Sequence, residues 1–282
     1  MKPAPFEYCR PETLDEALAL LSEFGDEALV MAGGLSLGAL LNMRMVRPEV
    51  VVDINGLETL AQIERVKDDI RIGALVRQAD VLVSAECSVA LPLLIAGLHN
   101  VGHYQTRSRG TLGGSVAHAD PSAETPLCLA TLDGEVELSS KRGVRRIAAN
   151  EFFEGALTTA REGDEMVTAL YWPILGEGTG IGFEEINERR GDFAIVAAAA
   201  WARREGGAFR CGLGLGGVED CPVVQLESTE GTTEEIAERM ANQLISDLEP
   251  LDDRRASAEY RRHLAFHLGQ KVMRHALEGA VR

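Results

Sequence analysis

Ala28-Leu29-Val30-Met31-Ala32-Gly33-Gly34-Leu35-Ser36-Leu37 is the stretch on which the fold turns. Four apolar residues read as a short buried strand that runs straight into a glycine pair and a serine. Leu37, Leu40 and Leu41 continue at helical spacing to about Arg44, and Val50-Val51-Val52-Asp53-Ile54 reads as the next strand. Strand, glycine loop, helix, strand is the order of a Rossmann unit, with Asp53 where its ribose ligand would stand. The spacing argues against that fold. The loop is G-G-x-S and lacks the third glycine that packs helix on strand, the helix is short, and the chain beyond Ile54 does not repeat as βαβ units. Asp53 then reads as a turn residue at a strand end.

A second glycine pair stands in Thr111-Leu112-Gly113-Gly114-Ser115. Glycine permits positive φ and lets backbone N–H groups approach a ligand, because no Cβ intervenes. Two such loops point to a diphosphate gripped from two sides, by N–H groups and by the hydroxyls of Ser36, Thr111 and Ser115, with no lysine. The plainer alternative is a tight turn at each. The net charge of −16 speaks against nucleic acid as a partner. It also leaves backbone N–H groups and helix N-termini as the means by which so acidic a chain would hold an anion.

Outward from these loops the pattern is α+β. Thr13 and Glu16 form a capping box for a helix carrying Leu14, Ala17, Leu18 and Leu21, with Gly25 as its stop. A hairpin is expected at Ile63–Val66 and Ile70–Ile72, turning on Lys67-Asp68-Asp69. Helices are expected over Gln78–Ser84, Ala90–Asn100 and Ala123–Leu132, and strands over Glu135–Ser139 and Val167–Trp172. Thr106 to Ser115 is too rich in glycine and hydroxyls for a regular element. Gly176-Glu177-Gly178-Thr179-Gly180 reads as a linker and domain boundary. Beyond it lie an apolar segment, Phe193–Trp201, and a run from Phe209 to Gly217 in which glycine alternates with larger residues, as in a strand that another element approaches closely. Thr233–Ile245 and Ala256–Leu277 read as helices.

With 45% hydrophobic residues, 282 residues bury a full core and have room for two domains. Cys9, Cys87, Cys128, Cys211 and Cys221 form no C-x₂-C pair and are odd in number, which excludes most iron–sulfur and zinc patterns. Isolated thiols suit a reducing cytoplasm. The opening residues show no apolar signal region, and the longest apolar run, Phe193 to Ala202, is too short for a membrane span. A cytoplasmic protein is expected.

Several residues carry two readings. His118 and Asp120 would lie on one side of an extended segment as an acid/base pair, or form a polar loop before the next helix; the second is the plainer. Glu124, in a first helical turn, would accept hydrogen bonds from ribityl or ribose hydroxyls, or be there for the helix dipole. Arg107 and Arg109 would offset a diphosphate or be solvated. Glu184 to Asp192 reads as a charged surface turn, with contact to a partner chain as the alternative. His263 and His267 sit at i, i+4 without a third ligand and read as surface residues.

The residues resemble a known family. Ala32-Gly33-Gly34-Leu35-Ser36-Leu37, the run Arg107-Ser108-Arg109-Gly110-Thr111-Leu112-Gly113-Gly114-Ser115-Val116-Ala117-His118-Ala119-Asp120-Pro121, Arg190-Gly191-Asp192-Phe193-Ala194 and Ser257-Ala258-Glu259-Tyr260-Arg261-Arg262 are similar to the FAD-binding medium subunit of the molybdenum hydroxylases. That subunit is the flavoprotein chain of carbon monoxide dehydrogenase-type enzymes and the equivalent of the middle domain of xanthine dehydrogenase. The likeness covers essentially the whole chain. It implies an FAD-binding domain of the vanillyl-alcohol oxidase/PCMH type over residues 1–175, in subdomains of about 1–56 and 57–175, and a smaller α+β domain over 176–282.

By the same likeness, Ala32, Gly33, Gly34, Leu35, Ser36 and Leu37 wrap the FAD diphosphate together with Thr111, Leu112, Gly113, Gly114 and Ser115. Val101 and Gly102 lie along the flavin cleft, Glu124 binds a ribityl hydroxyl, and the Val167 region contacts the isoalloxazine or adenine. Glu184 departs from relatives that carry a lysine there and is left out of this set. No histidine stands at either loop, so the FAD is expected to be non-covalent. No catalytic residue and no metal ligand is expected on this chain. Molybdopterin belongs to a large partner subunit and [2Fe-2S] clusters to a small one, and electrons pass from the clusters through FAD to an external acceptor. The rivals are a stand-alone FAD-dependent oxidoreductase and a binding module that has lost its flavin. The holoenzyme's substrate and the acceptor are not legible in this chain.

Overall fold

Thr13 Oγ1 accepts from the N–H of Glu16 and opens α1 (Leu14–Phe24) in the computed structural model, which describes residues 2–281. The expected capping box is only half formed: the Glu16 carboxylate turns to the N–H of Glu12 instead. Before this helix lies β1 (Glu7–Cys9), and after it come β2 (Ala28–Met31), α2 (Leu35–Met43) and β3 (Val50–Asp53). β1 and β2 both pair parallel with β3, giving a three-stranded sheet in the order β1-β3-β2. Leu18 and Leu21 of α1 pack on Val50 and Val52, in a core that also takes in Leu75 and Met166 from further along the chain.

The next layer is an antiparallel sheet. β4 (Ile63–Val66) and β5 (Asp69–Gly73) form the expected hairpin. Six short helices come next: α3 (Gln78–Val83), α4 (Ala85–Ala90), α5 (Pro92–Leu98), α6 (Tyr104–Arg107), α7 (Leu112–His118) and α8 (Glu124–Thr131). The helix expected over Ala90–Asn100 is thus broken at Leu91, because Pro92 cannot continue a helix but starts one well. The stretch expected to be irregular, Thr106 to Ser115, instead ends one helix and begins another, and the glycine pair lies in the first turn of α7. β6 (Glu135–Ser140) and β7 (Gly143–Ala148) make a second hairpin, whose outer strand the sequence does not reveal because Val144, Arg145 and Arg146 are exposed at a sheet edge. After α9 (Ala149–Phe152) and the small pair β8 (Phe153–Gly155) and β9 (Thr158–Thr159), β10 (Met166–Pro173) returns between β5 and β6. The sheet order is β4-β5-β10-β6-β7.

The last part is a four-stranded antiparallel meander, β11 (Thr179–Ile186), β12 (Val196–Glu205), β13 (Ala208–Gly216) and β14 (Val223–Thr229), followed by α10 (Thr233–Ser246) and α11 (Ala258–Ala280). β11 begins inside the stretch expected to be a linker. β12 is apolar from Val196 to Ala202 because both of its faces are covered there, and its charged end, Arg203, Arg204 and Glu205, is not. Ala197, Ala199 and Trp201 join the core built on Leu94, Leu98 and Leu127, while Ala198, Ala200 and Ala202 join one with α10 and α11. The alternating glycines of β13 have the expected cause. A Cβ on Gly214 would run into Thr131 and lie 3.1 Å from Leu127 Cδ1, so its absence lets α8 lie on the sheet. Trp201 Nε1 donates to the Thr131 carbonyl at 2.8 Å across the same contact.

Candidate functional site

α2 starts on Gly34, whose φ of +75° a Cβ would strain, and no side chain caps this helix end. This uncapped helix end borders a cavity of about 690 Å³ that Gly33, Gly34, Ser36 and Leu37 help to line. The opposite wall is the segment Gly110–Ser115. A Cβ on Gly33 would overlap the Arg109 carbonyl, so the two loops touch backbone to backbone.

A polar relay fixes that approach. The Tyr8 hydroxyl donates to Asp53 Oδ2, and Asp53 Oδ1 accepts from the Asn55 N–H (2.9 Å) and from Asn55 Nδ2 (2.6 Å). Asn55 Nδ2 also donates to the Ala32 carbonyl (2.7 Å), and Arg77 bridges Asn55 Oδ1 (2.6 Å) to the Arg109 carbonyl. Burial opposes ionisation of Asp53, but these donors outweigh it and hold its carboxyl below the usual range. Asp53 is therefore a strand-end residue that positions loops, as its spacing implied. Neither Asn55 nor Arg77 stands out in the sequence, since each is an ordinary turn or helix-cap residue until the fold joins it to both loops.

The second glycine pair works differently from expectation. The Leu112 N–H donates to Val76 O (3.0 Å), Gly113 N–H to Ala74 O (3.2 Å), Gly114 N–H to Thr111 Oγ1 (3.0 Å) and Ser115 N–H to Thr111 O (3.1 Å). These N–H groups are spent inside the fold and are not offered to a ligand. The glycines are needed for closeness: a Cβ on Gly113 would lie 2.5 Å from Ala74 Cβ and 2.6 Å from Ala74 Cα. Thr111, Gly113, Gly114 and Ser115 line the cavity, whereas Leu112 is fully buried in the core and does not. The remaining expected residues, Ala32, Leu35, Val101, Gly102, Glu124 and Val167, all line it.

Glu124 heads α8 and is 5% exposed. Burial, with Glu185 and Asp120 adding their charge, pushes its carboxyl up to about 8. At neutral pH it is protonated, and so can both donate to and accept from a ligand hydroxyl. Glu185, raised to about 7 by burial, leaves Oε2 buried without a partner, while its Oε1 accepts from Asn187 Nδ2. The charged surface turn expected over Glu184–Asp192 is therefore only partly that. Glu184 and Glu185 belong to β11, Glu184 pairs with Lys271 (2.7 Å), and Gly191, Asp192 and Phe193 reach the cavity.

His118 and Asp120 line the cavity as well. Asp120 Oδ1 accepts from the Ser122 N–H at 2.8 Å, which is the polar-loop role, and burial holds His118 below its ordinary pKa and hence neutral. Gln78 and Arg161 are lining residues that sequence reasoning missed. Gln78 is 4% exposed and its Oε1 has no partner within the protein. Arg107 donates to the carbonyls of Val101 and Gly102, so it shapes the wall and is not a solvated loop residue. His263 and His267 are exposed. Among the described residues no three His, Cys, Asp or Glu side chains come together to hold a metal.

The cavity thus offers an uncapped helix N-terminus, the serine hydroxyls of Ser36 and Ser115, an orphaned Gln78 Oε1 and a neutral Glu124, set among Val101, Val167 and Leu40. That set suits a long ligand with a diphosphate, hydroxyls and apolar ring surfaces.

The chain is similar to known proteins over most of its length. Residues 4–175 match the family model described as the FAD binding domain in molybdopterin dehydrogenase, and residues 182–276 match the CO dehydrogenase flavoprotein C-terminal domain. The chain is 35% identical over 289 residues to the 6-hydroxypseudooxynicotine dehydrogenase complex subunit alpha of Paenarthrobacter nicotinovorans, covering 99% of this chain and 97% of that protein. It is 40% identical over 200 residues to the caffeine dehydrogenase subunit beta of Pseudomonas sp. strain CBB1, covering 71% of this chain and 68% of that one. Among solved structures, carbon monoxide dehydrogenase from Hydrogenophaga pseudoflava superposes with a TM-score of 0.94 at 29% identity, covering 99% of both chains.

Proposed function

The chain belongs to the FAD-binding medium subunits of the molybdenum hydroxylase family, and from that premise we propose that it is the electron-transfer subunit of a multi-chain oxidoreductase. In this reading a small partner subunit carries [2Fe-2S] clusters and a large one carries molybdopterin. The chain passes electrons from the clusters to an external acceptor and works in the cytoplasm. Among the described residues no helix is long and apolar enough to cross a membrane.

The observation that carries the reading is the uncapped N-terminus of α2, held against the Arg109 carbonyl by the Asn55–Arg77 relay over one large cavity. An anionic diphosphate at that helix end gains the dipole and the free N–H groups without needing a lysine. Ser36, Thr111 and Ser115 add hydroxyls. Glu124 holds its proton and meets a ribityl hydroxyl, and Val101, Gly102 and Val167 shape the wall for the ring system. FAD, once bound, supplies redox chemistry that exchanges electrons singly or in pairs, which a relay between iron–sulfur donors and varied acceptors requires. The chain's own residues bind, orient and shield the cofactor. We place the FAD-binding domain at 1–175, with subdomains of about 1–56 and 57–175, and the second domain at 176–282.

Co-purification tests the assignment. Expressed with its partner chains, the subunit is expected in a complex holding FAD, molybdenum and iron in fixed ratio, and expressed alone to bind FAD without oxidising organic substrates. Turnover of a small substrate by the isolated chain would point instead to a stand-alone flavoprotein.

A further inference from the structure

Arg261 is a charged residue that the binding site does not explain. It lies in the first turn of α11, 2% exposed. Burying a guanidinium costs several kcal/mol unless its donors are met. Here Nη1 donates to the carbonyls of Ile195 and Gly217, both at 2.6 Å, and Nη2 to Asp253 Oδ2 at 2.9 Å, while the buried Nε has no partner. One of these acceptors belongs to a segment that reaches the cavity, and the other is bonded to a segment that does. Ile195 ends the strap 187–194, which leaves β11 at Ile186 and is closed by the bond from the Ile195 N–H to the Ile186 carbonyl at 2.7 Å. The Gly217 N–H in turn donates to the Pro121 carbonyl at 2.8 Å, three residues before Glu124.

The strap itself forms part of the cavity wall through Gly191, Asp192 and Phe193. Gly191 has φ +88° and sits so close to the FAD-binding part that a Cβ there would lie 2.9 Å from His103 Cε1 and 3.1 Å from the Gly102 carbonyl. A second arginine of the same region, Arg255, donates to the Phe193 carbonyl, and Asp253 ties the two together by accepting from the Arg255 N–H and from Arg261. The strap therefore lies across the cavity at one end, while its other end is held by the segment Asp253–Arg261.

We propose that Arg261 and Arg255 are positioning residues for the cofactor: by holding the carbonyls of Ile195 and Phe193 they keep the strap closed over the cavity. The C-terminal part of the chain then acts as a retaining clasp and is more than a scaffold. The proposal rests on the reading that the cavity holds FAD. Neither arginine touches the cavity, so the effect passes through the strap backbone. Lysine in place of Arg261 keeps the charge but loses the two-nitrogen fork, in which Nη1 holds both carbonyls while Nη2 holds Asp253.

The test uses the full chain loaded with FAD, the variant Arg255→Ala at a half-buried position and the conservative variant Arg261→Lys. Two readouts are taken: flavin release after dilution, followed by its fluorescence, and the rate of tryptic cleavage at Arg189 and Arg190, the exposed arginines of the strap. Losing the one charged hydrogen bond of half-buried Arg255 is expected to speed release about threefold, and losing the fully buried fork of Arg261 about tenfold. Strap cleavage should rise in the same order and slow again at saturating FAD, with the melting temperature of Arg255→Ala unchanged. Release and strap cleavage at the parent rate in Arg255→Ala would overturn the proposal, whether or not Arg261→Lys folds. A parent chain that binds no FAD would instead remove the reading beneath it, and the tryptic rates alone would then decide whether these arginines hold the strap.

Discussion

Replacing Glu124 with glutamine should flatten the pH dependence of stability in the flavin-free chain. The folded chain keeps the Glu124 proton until about pH 8, whereas a solvated glutamate releases it near 4.5. Between those values folding takes up a proton, so stability falls as the pH rises. At about 1.4 kcal/mol for each pH unit that separates the two forms, the loss between pH 5.5 and 8.0 comes to about 3 kcal/mol. Glu185, raised to about 7 by burial, adds its own smaller slope over the lower part of that window. Urea unfolding at the two pH values reads the difference directly. The parent should lose about 3 kcal/mol more than Glu124→Gln across the interval, and the double variant with Glu185→Gln should be flatter still. The slope is the quantity to compare, because any cost of burying the amide is the same at both pH values. Equal slopes in parent and variant would refute the claim that Glu124 is buried and protonated.

Other substitutions probe the rest of the site and the fold. Gly113→Ala places a Cβ against the backbone and Cβ of Ala74, which cannot give way, and should cost about 1–3 kcal/mol in urea melts, whereas Gly38→Ala, with open space around the added methyl, should gain about 0.5–1 kcal/mol. Asn55→Ala cuts the tie between the Ala32 carbonyl and Arg77 and removes a donor from buried Asp53, so it should weaken FAD binding about tenfold by fluorescence titration and cost about 1–2 kcal/mol of stability. Glu165, buried but paired with Arg145 at 2.7 Å, has its carboxyl held below the usual range because that pairing outweighs the effect of burial. Its contribution is present above pH 4.5 and is lost as the pH falls through the folded value. Glu165→Gln should therefore cost about 2 kcal/mol at pH 7 and less as the pH approaches 3, as thermal melts will show.

Much of this architecture was legible in the chain. Short continuous apolar runs place β2 and β3 and helical spacing places α2, while Phe193–Trp201 is legible only as an apolar segment until the structure shows β12 as a strand covered on both faces. What stayed hidden has specific causes. β7 is an exposed edge strand whose arginines and valine show no alternation with burial, and the helix break at Leu91 depends on one proline in an otherwise continuous pattern. All the expected site residues except Leu112 line one cavity, but the local arrangement of their N–H groups was not legible. Both glycine pairs read as N–H donors, yet only the first presents an uncapped helix end. The N–H groups of the second are consumed by Ala74, Val76 and Thr111, partners separated in sequence or hidden in a cap. Gln78, Arg161 and the Asn55–Arg77 relay acquire their roles only when separate segments meet, and no local spacing announces that.

The central claim is that the cavity between the two loops holds FAD without a covalent link. Its most direct test is the flavin content of the purified full chain, by visible absorption and by chromatography of the acid-released cofactor. The account predicts close to one FAD per chain, all of it released by acid, and lost on Asn55→Ala at concentrations where the parent retains it. A chain that stays colourless after incubation with excess FAD, or a flavin that remains on the protein after acid precipitation, would contradict it.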